Sequence, residues 1–396
     1  MKGPFVFTSE SVTEGHPDKL CDQISDAFVD HILRRDPYAR VVAECAVATS
    51  IVFIAARFDA GVSIDFPNVT REVIDQVGYT GPQFNGKTCS IVTSLREMAP
   101  DGARHFDERS MSDAEVGRVV ARNQVTVFGY ACTQTPAFMP LPIWLAHKLA
   151  RRLTSVRLQN VVPYLAPDGW TQVGVEYRER MPSRIHSVTL IAATKTKEPT
   201  LAALRRDLIE SVVEPVFADE PLRPDGLTRI FVNSDGLFLG GGPSVHSGLT
   251  GRKNAIDTYG EYSRHSGAAL SGKDPSRIDR SGAYAARYAA KNVVAAGLAE
   301  ECEVLLSYSV GLAEPVSIQV QTFGTGTVSD DDITDRLERH FDFRPAGILR
   351  QFNLRYLPSI VKGGFYRKLA AYGHVGRMDI GLPWEVTDKA SLLKSS

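Results

Sequence analysis

Leu20, Ile24, Ala27 or Phe28, and Ile32 recur at three- and four-residue spacing, which predicts an amphipathic helix over roughly 20–34. Pro37 prevents its continuation. The stretch 41–58 is rich in Val, Ile and Ala and reads as strand, folded into a hairpin through Thr49-Ser50. Asn85-Gly86 marks a turn before a short apolar run at 89–92. The charged segment 100–112, with Gly102 inside it, reads as a loop or flap. Prolines open a helix over 140–153, alternation predicts strands at 172–177 and 187–193, and a helix follows at 201–217.

Gly240-Gly241-Gly242-Pro243 is a hard break and a candidate domain boundary. Beyond it the Ala-rich 281–299 is helical, and 304–310 and 316–323 read as strands. Ser329 caps a helix running to about 341. Helices and strands mix without a regular β-α-β beat, so the expected class is α+β, with sheets covered on one face by helices. A chain of 396 residues is long enough for two or three such domains.

Charge and cysteine usage narrow the function. The net charge is -1, so no global basic excess points to nucleic acid. The five cysteines are scattered and lack a C-x-x-C pair, which argues against a disulfide framework and a thiolate zinc site and fits a reducing compartment. The N-terminal residues have no apolar core like that of a signal peptide, and no window is apolar enough to span a bilayer. The expectation is a cytoplasmic protein without membrane or nucleic-acid partners. None of the nine histidines shows metal-ligand spacing; His31, His147 and His340 fall in helix patterns and read as structural.

Three elements could carry chemistry. Glu10 to Lys19 places His16, Asp18 and Lys19 at a helix entrance, where free N–H groups and the helix dipole favour anions. Asp18 could hold Mg²⁺ against phosphate oxygens. Gly248-Leu249-Thr250-Gly251-Arg252-Lys253 sets two cations behind glycines, which suits a polyphosphate. The segment 271–280 holds Lys273, Asp274, Arg277 and Asp279, but lacks the glycine spacing of a P-loop. A capped helix start or a solvated charged turn is the alternative for each. Together they favour a phosphate-plus-Mg²⁺ site.

Taken in order, these elements resemble the S-adenosylmethionine synthetase (methionine adenosyltransferase) family. The matching runs are T-S-E-S-V-T-E-G-H-P-D-K at 8–19, F-G-Y-A at 128–131, G-L-T-G-R-K at 248–253 and D-T-Y-G at 257–260. They continue with S-G-K-D-P-S at 271–276, D-R-S-x-A-Y-A-A-R-Y at 279–288, A-A-Y-G-H at 370–374 and P-W-E at 383–385. The resemblance implies three similar α+β domains about a pseudo-threefold axis, over 3–104, 114–240 and 242–381. It also implies a homodimer, or a dimer of dimers, with active sites between subunits. The implied reaction joins a methionine sulfur to C5′ of ATP, releases triphosphate, and cuts that to diphosphate and phosphate. His16, Lys273 and Arg252 are the implied catalytic residues. The implied ATP and triphosphate contacts are His16, Asp18, Lys19, Arg252, Lys253, Lys273, Asp274 and Arg277. Asp18 and Asp279 are the implied Mg²⁺ ligands, and Glu44 the implied K⁺ ligand.

The acceptor side departs from the family pattern. Asn123 stands for an aspartate, Arg57 for a glutamate, Arg104 for a glutamine, His246 for a second aspartate, Trp170 for a lysine and Arg277 for another lysine; Phe238 is kept. These exchanges make the acceptor pocket about four charges more positive, and a like-charge contact near 4 Å costs on the order of 4 kcal/mol at an effective dielectric of about 20. The expectation drawn from this arithmetic is an adenosyltransferase whose nucleophile is more anionic than methionine. The alternatives are an ordinary methionine enzyme with a rearranged pocket, a non-catalytic regulatory copy, and an ATP hydrolase that releases triphosphate.

Overall fold

The computed structural model describes residues 4–59, 63–98 and 106–395. Among them are three sheets. The largest is ordered β1 (Phe5–Val12), β6 (Leu165–Arg178), β7 (Met181–Thr194) and β8 (Arg229–Val232), with β9 (Phe238–Leu239) also pairing β7. The second is ordered β10 (Gly248–Leu249), β2 (Arg40–Ala48), β3 (Ile51–Asp59) and β4 (Ser90–Glu97). The third is ordered β12 (Ser317–Gln321), β11 (Glu301–Tyr308) and β5 (Val125–Cys132). The predicted hairpin through Thr49-Ser50 is present as the antiparallel β2–β3 pair.

Each sheet recruits one strand from another third of the chain. β1 leaves the first third to pair β6, from Phe5↔Tyr177 to Val12↔Trp170. β5 leaves the middle third to pair β11. β10 leaves the last third to pair β2. The exchange is cyclic, so the sheets do not close within the contiguous segments 3–104, 114–240 and 242–381.

One long helix covers one face of each sheet. α1 (Pro17–Arg35) packs on β2, the helix Leu141–Leu158 packs on β1 and β6, and the helix Ile278–Ala295 packs on β5 and β11. This threefold repetition of sheet plus helix is the α+β, pseudo-threefold architecture. The opposite faces stay bare: Phe53, Val92 and Leu249 on the second sheet, and Ile191, Phe231 and Leu239 on the first, are all exposed.

α1 and the Ile278–Ala295 helix are buried nearly all round, charged residues included. α1 carries Asp18, Asp22, Asp26 and Asp30 at a spacing of four, which aligns them along one side. Each takes backbone N–H groups from the last third of the chain. Leu249 N donates to Asp18 at 3.0 Å, Gly251 N to Asp22 at 2.8 Å, Gly272 N to Asp26 at 2.8 Å, and Tyr366 N to Asp30 at 2.9 Å. Asp26 also pairs with the fully buried Arg280 at 2.6 Å.

A second helix in the first third, α2 (Phe66–Val77), went unread in the sequence. Phe66, Val69, Thr70, Val73, Ile74 and Val77 form its buried stripe, Asp65 caps its start, and Gly78 at φ 101° ends it. The predicted 201–217 helix is continuous but contains a π-helical turn, Ile209–Val213. The Ala-rich helix begins at Ile278 rather than 281. Ser329 caps its helix as expected, accepting from Asp332 N.

His147 is buried with Nδ1 2.8 Å from Ser11 Oγ. Burial, with help from Arg151 and Arg377, holds its pKa well below the usual imidazole value. Below about pH 6.5 an unfolded chain protonates this residue while the native state does not, so its contribution to stability is present above that pH and lost on acidification. Against a His147→Gln variant, the unmodified protein is expected to lose about 1.4 kcal/mol of relative stability per pH unit below about pH 6. Urea denaturation of both proteins at pH 7, 6 and 5 checks this; parallel stability–pH lines would refute it.

Candidate active site

The first half of the site forms where α1 begins. His16 is the N-cap residue, Pro17 fills the first helical position, and His16 Nδ1 accepts a hydrogen bond from Asp18 N at 3.1 Å. Burial first, then the charges of Lys253, His246, Lys19 and Arg252, push the His16 pKa down to about 2. His16 is therefore neutral, with its proton on Nε2. Gly248 lets β10 cross this entrance, since a Cβ there would lie 2.2 Å from the Pro17 backbone. The crossing brings Arg252 Nη1 within 3.6 Å of Asp18, and Lys253 Nζ within 3.3 Å of Glu10.

Aromatic rings close this half on one side. Trp170 on β6 meets His16 edge-on at 5.1 Å, His246 at 5.1 Å and Phe238 at 5.6 Å, between ring centroids. His246 Nε2 is 2.9 Å from Oδ2 of the fully buried Asp168. His16, Asp18, Arg252, Lys253, Trp170, Phe238 and His246 thus come together from four separate stretches of chain.

The second half lies farther along β2. Gly272, at φ 79° and with a would-be Cβ 2.0 Å from Ala43 O, lets the segment 271–274 run against that strand. Lys273 there bridges Val42. Its Nζ is 3.3 Å from Asp279 Oδ1, and Asn123 Nδ2 donates to Asp279 Oδ2 at 2.6 Å. Burial lowers the Lys273 pKa, and Asp279 opposes that shift. Beside them opens a cavity of about 420 Å³ lined by Arg57, Arg118, Arg122 and Arg277, with Glu115 at its edge. Among the described residues none of these four arginines has an ion pair within 4 Å, and Arg277 Nε is buried without a partner.

The two halves are separated along one strand. Leu249 pairs Ala46 and Lys273 bridges Val42, four residues apart on β2, about 13 Å. Glu44 lies between them on the exposed sheet face.

Two sequence expectations meet a different geometry. Lys19 is fully buried, with its ammonium held by Asp22 at 2.9 Å and by Asp257, so it is a structural cation without access to phosphate. Asp274 is buried and accepts from Val41 N, Ser276 N and Ser276 Oγ, which fixes the turn before the helix, and it also lines the cavity of about 420 Å³. Arg104 lies outside the described residues. Sequence reasoning missed Asp168, Arg118 and Arg122. The Pro-Asp-Gly run at 167–169 beside Trp170 could have flagged the first, and the position of Arg122 next to Asn123 the last.

Comparison with known proteins agrees with this organisation. Residues 4–100 match the N-terminal domain model of S-adenosylmethionine synthetase, 118–238 the central domain and 240–386 the C-terminal domain. Among similar proteins, the S-adenosylmethionine synthase of Thermosynechococcus vestitus is 48% identical, covering 99% of this chain and 98% of the relative. Those of Rippkaea orientalis and Trichormus variabilis are also 48% identical, each over 100% of this chain. With three consecutive domain matches and near-half identity end to end, the chain is a transferase belonging to the S-adenosylmethionine synthetase family.

Proposed function

We propose that the protein is a methionine adenosyltransferase, which joins the sulfur of L-methionine to C5′ of ATP and then hydrolyses the released triphosphate to diphosphate and phosphate. The observation that carries this reading is end-to-end similarity to relatives named S-adenosylmethionine synthase. It replaces the more anionic acceptor expected from charge arithmetic. A methionine can be seated in the arginine-lined cavity as a zwitterion. Its carboxylate suits the Arg57 and Arg277 guanidinium forks, and Glu115 offers a partner for its ammonium.

The thioether sulfur is neutral and carries no proton, so displacement at C5′ asks for alignment and for neutralisation of the leaving triphosphate. Arg252, Lys253 and Lys273 provide the cations, and neutral His16 donates a hydrogen bond from Nε2. Asp18 and Asp279 would hold Mg²⁺, which would supply positive charge to the leaving triphosphate. This fits the hard-oxygen chemistry of that ion. Glu44 offers one carboxylate for K⁺. Among the described residues no helix is long and apolar enough to cross a membrane, and all five cysteines are buried and unpaired, in keeping with a cytoplasmic enzyme.

Four arginines without an ion pair among the described residues favour one second reading, an acceptor bearing an extra acid group. ATP with Mg²⁺ and either methionine or acidic thioethers, followed by mass spectrometry of 5′-substituted adenosines, decides between them. The expected outcome is S-adenosylmethionine formed at an ordinary enzyme rate, about 1 s⁻¹ or faster. Preference for the acidic thioethers would favour the second reading. Formation of adenosine alone would favour hydrolysis, and no turnover a regulatory copy.

Two further outcomes are expected. Lys273→Ala weakens tripolyphosphate binding by about 1.5–3 kcal/mol, the range for a charge-assisted hydrogen bond, as read by calorimetry. The protein is also a homodimer, because each chain presents two half-sites about 13 Å apart on a sheet face with exposed Ile51, Phe53 and Leu249. Light scattering at micromolar concentration checks this; a fully active monomer would refute it.

A further inference from the structure

We propose that Asn123 is a positioning residue: its amide holds the Asp279 carboxylate off Lys273, which keeps the carboxylate open to Mg²⁺ and the ammonium open to phosphate. This rests on the adenosyltransferase reading above. Three stretches of backbone fix the three groups. Ala121 N donates to Leu312 O at 2.8 Å and Gly311 N to Ala121 O at 2.9 Å, so the turn between β11 and β12 places Asn123 just ahead of β5. Asp279 lies in the first turn of the helix Ile278–Ala295. Lys273 is held by its bridge to Val42 and by Arg280 Nη1, which donates to Lys273 O at 2.9 Å.

The side chains divide the carboxylate unequally. Asp279 Oδ2 accepts from Asn123 Nδ2 at 2.6 Å, while Lys273 Nζ stands 3.3 Å from Oδ1. A charge-assisted N–H···O contact closes to about 2.7–2.9 Å, so the amide bond is made and the ion pair is held open. An ionised carboxylate can only accept, so the amide must present its N–H here and not its oxygen. Without the amide a nearly buried oxygen would lose its donor. Lys273 is then the donor in reach, and the pair would close. The ammonium would be drawn from phosphate, and a metal would have to displace it. An acid could not do this work. Position 123, where the family pattern has an aspartate, would then set two anionic oxygens 2.6 Å apart, which calls for a proton or a cation between them. The neutral amide orients Asp279 and adds no charge of its own.

The test reads metal binding rather than turnover. Mn²⁺, a paramagnetic stand-in for Mg²⁺, is titrated into the protein saturated with diimidotriphosphate, a tripolyphosphate analogue that resists hydrolysis. The free-ion signal in electron paramagnetic resonance gives the affinity. Asn123→Ala is expected to weaken Mn²⁺ binding about 10- to 100-fold, the range for loss of a group that orients a metal ligand. In a Lys273→Ala background the same change should cost no more than about twofold, because the competing ammonium is gone. The isosteric Asn123→Asp should tighten Mn²⁺ binding by adding a carboxylate. A merely structural role would weaken binding in all three. Unchanged affinity in Asn123→Ala, an equal loss with and without Lys273, or weaker binding in Asn123→Asp would each overturn the proposal. Failure of the methionine reading is distinguishable, since S-adenosylmethionine would not form while the Mn²⁺ results stood. An unmodified protein that binds no Mn²⁺ would overturn the metal site and this proposal with it.

Discussion

Four aspartates at a spacing of four along α1 hold the molecule together. Each exchanges the hydration of a carboxylate for backbone N–H donors from the last third of the chain, and Asp26 adds a buried guanidinium. Buried charges are tolerable only when paired and fully hydrogen-bonded, which makes the arrangement unforgiving. Removing any one strand of the 248–280 segment from α1 would leave a carboxylate stranded. The ladder therefore fixes where Gly248 to Lys253 and Gly272 to Lys273 pass. Those are the stretches that carry Arg252, Lys253 and Lys273.

The first rung belongs to both structure and site. Asp18 anchors Leu249 N through Oδ1, which also faces the Arg252 guanidinium, and keeps Oδ2 beside the neutral imidazole of His16. Burial raises the Asp18 pKa while Leu249 N and Arg252 pull it down, so the carboxylate is tuned by the element it anchors. The second half of the site stands on the third rung, where Gly272 meets Asp26 just before Lys273. One helix thus sets the spacing of two half-sites, and the spacing is too wide for a single chain to close around one small anion.

Much of this was legible in the sequence. The helix over 20–34, the hairpin at Thr49-Ser50 and the cap at Ser329 follow from local rules of periodicity, turn chemistry and capping. The glycines near His16, Arg252 and Lys273 were legible as places of close backbone approach, and Gly248 and Gly272 are such places. The full burial of Lys19 was not legible, because charge and sequence position say nothing about burial. Lys19 lies 238 residues from its partner Asp257. The pairing of Asp168 with His246 was missed for the same reason, since the two lie 78 residues apart.

The cyclic exchange of strands has a consequence for synthesis on the ribosome. β1 is among the first segments made, yet its partner β6 begins only at Leu165. β2 likewise waits for Gly248, and β5 for Glu301. No third of the nascent chain can complete its own sheet. The first two thirds must hold unpaired strand edges until a later third emerges, and a chain that stops early keeps those edges open to any neighbouring strand.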